Sequence, residues 1–234
     1  MTAAIVLAGG LGTRLRSTVP DVPKPMAPIE GRPFLEYLLD YWIGQGVGSF
    51  VLSVGYMHEV IRAHFGERYR GVPVRYSIEE TPLGTGGGLV LAARELHSNA
   101  PFLLLNGDTY FAVNLRELAA FAQGEDPDWT FSLFRAGEAG RYMGMQVQAD
   151  GRITSLRSNT EDIGRLANGG VYLVHPRSLA ALDLRAGDKL SLEEEVFATA
   201  LAADQRFFGL EFQATFIDIG VPADYHRAPA VLQN

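Results

Sequence analysis

Residues 7–15 read LAGGLGTRL and close a short apolar run. Gly9, Gly10 and Gly12 leave backbone N–H groups uncovered and permit positive φ. Successive N–H groups in such a turn form a nest for an anion. Leu7 and Ala8 lead into the loop, and Thr13 and Arg14 leave it. An Arg guanidinium forks onto phosphate oxygens. The loop is not a P-loop, because G-x-x-x-x-G-K-S/T is absent. It is not the dinucleotide fingerprint either, because Leu15 stands where the third glycine belongs. Taken alone, it also reads as a tight strand-to-helix turn with an incidental Arg. The next stretch, VPKPMAPIEGRPFLEY (22–37), contains four prolines. They predict an extended path that pins Lys24 between Pro23 and Pro25. Of the 20 basic residues, 18 are Arg and only Lys24 and Lys189 are Lys. Against that background Lys24 reads as a position that requires an ammonium. A pinned point charge beside an Arg and a glycine nest suits a polyphosphate.

The acidic residues suggest the rest of a site. Asp108 follows the apolar stretch 102–105 and Asn106-Gly107, and Asp218 follows ATFI. Open α/β sheets bind ligands at the carboxyl ends of their strands. Mg²⁺ takes one or two carboxylates together with phosphate oxygens. On their own these two residues read either as turn aspartates or as a metal pair. Glu79 and Glu80 precede TPLGTGGG. One carboxylate can accept both guanine donors, N1–H and the exocyclic amine, and it matches uracil or thymine carbonyls poorly. The alternative is a pair of solvated strand-end glutamates. Gly84, Gly86, Gly87 and Gly88, with Thr85 among them, permit close approach of a flat base.

Strands and helices must position these groups. Ala4–Leu7, Phe50–Val54, Val74–Ile78 and Phe102–Leu105 read as strands, and the apolar runs 4–7 and 102–105 lack polar alternation. Pro33–Gln45 reads as a helix with Phe34, Leu35, Leu38, Leu39, Trp42 and Ile43 on its apolar face and Gly46 at its exit. His58–Phe65 and Gly87–Leu96 read as two more helices. This alternation predicts a parallel sheet with helices on both faces. The second half changes character, with short strands at Thr130–Phe134, Met145–Gln148, Ile153–Leu156, Gly170–Val174, Phe207–Leu210 and Ala214–Ile217. Asp150-Gly151 marks a hairpin turn. Ser191–Ala203 reads as a helix whose capping box pairs Ser191 with Glu194, and a last helix begins near Pro222. The expectation is a single domain over 1–234, with a nucleotide-binding half to about 110 and a lid-like, sugar-binding half from about 111.

Composition narrows the chemistry. There are no cysteines among the 234 residues, which removes thiol nucleophiles and thiolate metal sites. The five histidines include no His-x-x-x-His pair. A net charge of −7 argues against general binding to nucleic acid or an anionic membrane. No run approaches the ~18–20 apolar residues of a membrane span, and the N-terminal residues do not resemble a signal peptide. The sequence is therefore expected to be cytoplasmic.

LAGGLGTRL followed by PKPMAPIEGRPFLEY resembles the signature of the sugar-1-phosphate nucleotidyltransferases. The resemblance continues through ETPLGTGGGL (80–89), LLNGD (104–108), NGGVYLV (168–174) and FIDIGVPADYHRA (216–228). It implies an α/β fold: a Rossmann-like, mostly parallel mixed sheet flanked by helices, of the GT-A-like nucleotidyltransferase kind. It implies attack of a sugar 1-phosphate oxygen on the α-phosphorus of a nucleoside triphosphate, with loss of pyrophosphate. It assigns Arg14 and Lys24 to catalysis and Asp108 and Asp218 to Mg²⁺. Leu7, Ala8, Gly9, Gly10, Gly12, Thr13, Glu79, Glu80, Gly84, Thr85 and Gly86 fall to the nucleotide, and Asn106, Gly144, Asn168 and Gly169 to the sugar. Arg157-Ser158 stands where many relatives carry a Glu-Lys pair. The pattern most resembles the branch that uses GTP and D-glycero-D-manno-heptose 1-phosphate. Other readings are uridylyl transfer to N-acetylmuramic acid 1-phosphate, nucleotidyl transfer to mannose or glucose 1-phosphate, and a non-catalytic nucleotide-sugar sensor. Such proteins often self-associate, and helix surfaces such as 33–45 could contribute.

Overall fold

The computed structural model describes residues 1–234 except 11, 13, 16, 17, 138–141, 143, 159–163 and 234, and except the side chains of 157 and 158. The first half contains β1 (Thr2–Leu7), β2 (Pro28–Ile29), β3 (Arg32–Pro33), α1 (Phe34–Gly44), β4 (Val47–Val54), α2 (His58–Phe65), β5 (Arg68–Tyr69), β6 (Val72–Ile78), α3 (Gly84–Ala92), β7 (Phe102–Asn106) and β8 (Thr109–Phe111). The second contains α4 (Leu115–Glu125), β9 (Trp129–Arg135), β10 (Gly144–Val147), β11 (Ile153–Ser158), β12 (Leu166–Val174), α5 (Pro176–Ala180), α6 (Phe197–Ala202), β13 (Phe207–Glu211), β14 (Phe216–Asp218) and α7 (Pro222–Leu232).

The sheet is mixed, and its centre, β7-β1-β4-β6, is wholly parallel. β12 then pairs antiparallel with β7 and β9, and β10 and β11 extend from it as the expected hairpin. Gly151 turns that hairpin at φ +89°. Side-chain alternation explains the near-continuous apolar strands. Ala4, Val6, Leu103 and Leu105 face one core with Leu38 and Trp42 of α1, Ile61 of α2 and Leu118 of α4. Ile5, Phe102 and Leu104 face the other with Leu89 of α3 and Phe197 of α6. Both faces of the central strands are therefore dry, as a parallel sheet requires. A third cluster packs Leu15, Ala27, Ile29 and Phe34 against Ile217, Ile219 and Ala228. Among the described residues, no helix is long and apolar enough to cross a membrane.

Several boundaries differ from the sequence reading for identifiable reasons. The helix expected at 87–96 begins at Gly84 and ends at Ala92, with a 3₁₀ turn over Ala93–Glu95. The carbonyl of Leu190 accepts from Gly86 and Gly87 N–H and supports the earlier start. Helix α4 was not anticipated. Its apolar face is short, with Leu115 and Leu118 buried, and Asn114 Oδ1 accepts from the N–H groups of Arg116 and Glu117. The helix expected from Ser191 opens as a π turn, Leu192–Val196. Ser191 Oγ accepts from Glu194 N–H as expected, but Glu195, not Glu194, accepts from Ser191 N–H at 2.7 Å. The extra residue of the π turn moves the return contact along by one. The proline segment is not extended throughout, because Lys24–Met26 forms a 3₁₀ turn.

β8 and β14 form a small antiparallel ladder outside the main sheet. Phe111 anchors it, fully buried, with its ring 5.5 Å from Phe216, 6.1 Å from Phe134 and 6.2 Å from Phe212. Truncating such a buried ring costs about 3–5 kcal/mol. Phe111→Ala is expected to lower unfolding stability by that order in urea titration, and an unchanged midpoint would contradict the anchoring role.

Candidate active site

The carboxyl ends of β1, β4, β6 and β7 meet at one edge. Ala8 N–H donates to Ser53 O at 2.8 Å, Gly107 N–H to Leu7 O at 2.9 Å and Glu79 N–H to Val54 O at 2.8 Å. These bonds bring the glycine loop, the Glu79 turn and the Asp108 turn together. Between them lies a cleft of about 490 Å³ lined by Leu7, Ala8, Gly9, Gly10, Gly12, Lys24, Glu79, Gly84, Thr85, Asn106 and Asp108 among others. A second cleft of about 330 Å³ is lined by Asn168, Gly169, Tyr142, Met145 and Asp218 among others, and shares Asn106 and Glu193 with the first.

Lys24 sits where the clefts meet. Its ammonium forms an ion pair with Asp108, and its side chain is 10% exposed. The ladder between β8 and β14 sets Asp218 opposite Thr109, and Ile219 N–H donates to the Asp108 carbonyl at 3.0 Å. Two aspartates far apart in the chain thereby become neighbours. Asp218 Oδ1 accepts from Gly220 N–H at 2.6 Å. A Cβ at Gly220 would lie 2.9 Å from Lys24 Nζ and 2.7 Å from Asp218 Oδ1, so Gly220 leaves room for both groups. Gly12 has the matching role at the base of the Lys24 side chain. At φ +59°, its absent Cβ would fall 2.9 Å from Lys24 Cβ. Among the described residues, no three His, Cys, Asp or Glu side chains converge as a metal cage. An Asp pair that leaves positions for phosphate oxygens and water is what Mg²⁺ ordinarily uses, and Asp108 with Asp218 fits that donor set.

The two glutamates separate. Glu79 lines the first cleft and Glu80 is exposed away from it. Glu79 Oε1 accepts from Ser53 Oγ at 3.1 Å, and Oε2 from Leu83 N–H at 2.9 Å. A Cβ at Gly9 would come within 2.4 Å of Oε1, so the glycine loop lies directly against this carboxylate. A carboxylate offers about four lone-pair positions, so two remain.

The glycines of TPLGTGGG divide between the cleft and the interior of α3. Gly84 and Thr85 line the cleft, but Gly86, Gly87 and Gly88 are buried in α3. A Cβ at Gly84 would lie 2.5 Å from Leu190 O, and one at Gly87 would lie 2.3 Å from Asp188 O. Leu190 N–H donates to Leu83 O at 2.8 Å, and Leu192 N–H to Thr85 Oγ1 at 2.9 Å. The glycines let segment 188–192 dock on α3, and docking brings Lys189, Leu192 and Glu193 to the cleft wall.

On the sugar side, β12 bulges between Asn168 and Tyr172. Gly170 turns the bulge at φ +70°, and a Cβ at Gly169 would strike the Phe111 ring at 2.4 Å. Asn168 Oδ1 accepts from Gly170 N–H at 3.0 Å, and its Nδ2 donates to Tyr172 Oη at 2.7 Å. Gly144 is buried in β10 opposite Ala167, and Met145 rather than Gly144 lines the cleft. Arg14 is exposed, next to buried Leu15, and is not among the residues lining either cleft. Thr13 and the Arg157 side chain lie outside the described residues.

Sequence reasoning missed Glu193, Tyr172 and Lys189. Removal from water raises the Glu193 carboxyl above its ordinary value, and the charges of Asp108 and then Glu194 push it the same way. Burial pushes the Tyr172 phenol well up, Glu193 and Asp108 add to this, and the Asn168 hydrogen bond opposes it. No local pattern marks Glu193 or Tyr172. The rarity of Lys does mark Lys189 as it marks Lys24.

Residues 3–234 match the nucleotidyl transferase family. The chain is 39% identical to D-glycero-alpha-D-manno-heptose 1-phosphate guanylyltransferase of Aneurinibacillus thermoaerophilus, over 99% of this chain and 98% of the relative. It is 33% identical to mannose-1-phosphate guanylyltransferase of Mycobacterium tuberculosis, over 98% of this chain and 64% of that one. Its fold matches the crystal structure of HddC from Yersinia pseudotuberculosis complexed with GMP-PN. The TM-score is 0.85 at 31% identity, covering 98% of this chain and 99% of that one.

The raised Glu193 carboxyl has a consequence for stability. A carboxyl raised by folding stabilises fully below its unfolded value, and that contribution is lost as pH rises through its folded value. Glu193→Gln is expected to raise Tm at pH 7 in metal-free buffer, with the difference closing below about pH 4. Equal melting of the two proteins across that range would remove the electrostatic account.

Proposed function

The chain belongs to the nucleotidyl transferase family, and we propose that it joins GTP to D-glycero-α-D-manno-heptose 1-phosphate, releasing pyrophosphate. The observation that carries this reading is the Lys24–Asp108 pair, beside Asp218, at the junction of two contiguous clefts. One cleft has the glycine loop and Glu79 for a nucleotide. The other has Asn168 and the β12 bulge for a sugar. The heptose relative covering the full chain supports the substrate pair, and the enzyme is assigned to the cytoplasm.

An ionised phosphate oxygen of the sugar 1-phosphate attacks the α-phosphorus. The new P–O bond forms as the bond to the β-phosphate oxygen breaks, and pyrophosphate leaves. Above the second phosphate pKa of about 6, the nucleophile is already deprotonated. No general base is needed. The protein aligns two anions and neutralises charge as it builds. Lys24, fixed by the Pro23 and Pro25 turn, places its ammonium at the point of transfer. Glycines 9, 10 and 12 present backbone N–H groups to the triphosphate, and Arg14 on the outer face of that loop takes its distal phosphates. The two unoccupied lone-pair positions of Glu79 accept from guanine N1–H and the exocyclic amine. Asn106, Asn168 and the 169–170 backbone meet the sugar. Asp108 and Asp218 would hold Mg²⁺, which when bound supplies positive charge to the reacting phosphates.

Mannose 1-phosphate is the second acceptor to consider, because the mannose-specific relative aligns over nearly all of this chain. Pyrophosphate release is expected with GTP and heptose 1-phosphate, with mannose 1-phosphate slower. UTP preference with an amino-sugar phosphate would overturn both the base and the sugar assignment. Lack of turnover with every pair, from protein that still binds nucleotide, would favour a sensor. Lys24→Met is expected to lower kcat/KM by about 10²–10³-fold with the fold retained, the usual scale for a lost transition-state donor. ITP lacks the exocyclic amine and is expected to be a poorer donor than GTP. Equal kcat/KM for the two would remove that contact from the Glu79 assignment.

A further inference from the structure

Both lysines of this chain line the same cleft. The other 18 basic residues are Arg, and among the described residues none of them lines it. The cleft wall carries the carboxylates of Glu79, Asp108 and Glu193. Lys24 is already matched by Asp108 and lies beside Asp218. Lys189 forms no ion pair or side-chain hydrogen bond with the other described residues, and its side chain is exposed at the cleft rim. Its backbone is held in place nonetheless. Leu190 bonds to Leu83, Gly86 and Gly87, and the absent Cβ atoms of Gly84 and Gly87 let the segment lie directly against α3. A triphosphate entering this cleft brings about four negative charges to a wall with excess carboxylate. Lys189 lines the first cleft and not the second. An ammonium on a flexible stem engages one phosphate oxygen without the planar fork that would let an Arg close onto a neighbouring carboxylate.

We propose that Lys189 is a further cationic contact for the nucleoside triphosphate, carried to the cleft rim by the docked segment 188–192 and serving a phosphate oxygen of the nucleotide rather than the sugar phosphate. The assignment rests on the reading of the first cleft as the nucleotide site. Lys189 is therefore a substrate-binding residue, and the short glycine run of α3 acts through it.

The test compares binding of GTP and guanosine to the intact protein, by titration calorimetry, in the unaltered enzyme, Lys189→Met and Lys189→Arg. Lys189→Met is expected to weaken GTP by about 10-fold or more, the scale of a charge-assisted hydrogen bond, and to leave guanosine within about twofold. Lys189→Arg keeps the charge and is expected to recover only part of the loss, because its fork also reaches the neighbouring carboxylates. In turnover, KM for GTP rises and KM for the sugar 1-phosphate does not. Unchanged GTP affinity in Lys189→Met overturns the proposal. Equal weakening of guanosine and GTP also overturns it, because Lys189 would then act through packing of the segment. A shift confined to the sugar-phosphate KM places the contact on the other substrate and overturns it too. If the unaltered enzyme prefers UTP, the same comparison is made with UTP and uridine, so failure of the base reading is seen separately. Failure to bind any triphosphate overturns both.

Discussion

An ammonium withdrawn from water is tolerated only where carboxylates and hydrogen-bond acceptors compensate it. Lys24 meets that condition through Asp108 and through its closeness to Asp218. Much of the surrounding architecture follows from the requirement. Pro23 and Pro25 set the turn that aims the side chain. Gly12 approaches the Lys24 Cβ and Gly220 the Lys24 Nζ with no Cβ in the way. The ladder of β8 and β14, packed around Phe111, holds the two aspartates in register. Beneath them the third apolar cluster ties Leu15 of the glycine loop to Ile217 and Ile219 of the Asp218 segment. The loop that would receive the triphosphate and the strand that carries Asp218 are thus parts of one packed unit.

Glycine has two different uses in this molecule. In the 9–12 loop it allows close approach of the backbone to Glu79 and Lys24. In α3 it allows close approach of another backbone segment, 188–192, to the helix. The second use explains why a run of glycines, each unfavourable in a helix by roughly 1 kcal/mol relative to Ala, occupies the first turns of α3. Contacts made by Leu190 and Leu192 offset that penalty and bind the second half of the chain to the first.

Without substrates, the site is dominated by carboxylates. Glu193 and Tyr172 both feel Asp108 across the shared wall of the clefts, and both are shifted toward their neutral forms. Metal and substrate would change this balance together, since Mg²⁺ supplies positive charge and the phosphates supply negative charge. Under the proposed reaction the site neutralises charge rather than transferring protons, in keeping with a nucleophile that arrives ionised.

The sequence by itself determined the alternation of strands and helices, the glycine loop, the proline-flanked lysine at position 24 and the two aspartates after apolar strands. Each is a local signal: side-chain periodicity, a fixed φ, a missing Cβ or a residue type next to a strand end. The boundary of α2 and the hairpin at Asp150-Gly151 were legible for the same reason. Tertiary structure decided the separation of Glu79 from Glu80, because Ser53 and Leu83 hold only the first. It decided that α3 starts at Gly84 and that Ser191 opens a π turn, because these two elements dock on each other. It alone brought Lys189 and Glu193 to the clefts and set the buried Tyr172 hydroxyl against Asn168. Periodicity and capping reach only a few residues along the chain, whereas the docking of 188–192 on α3 depends on hydrogen bonds between segments about a hundred residues apart, such as Leu192 N–H to Thr85 Oγ1. No window of sequence contains both ends of such a contact.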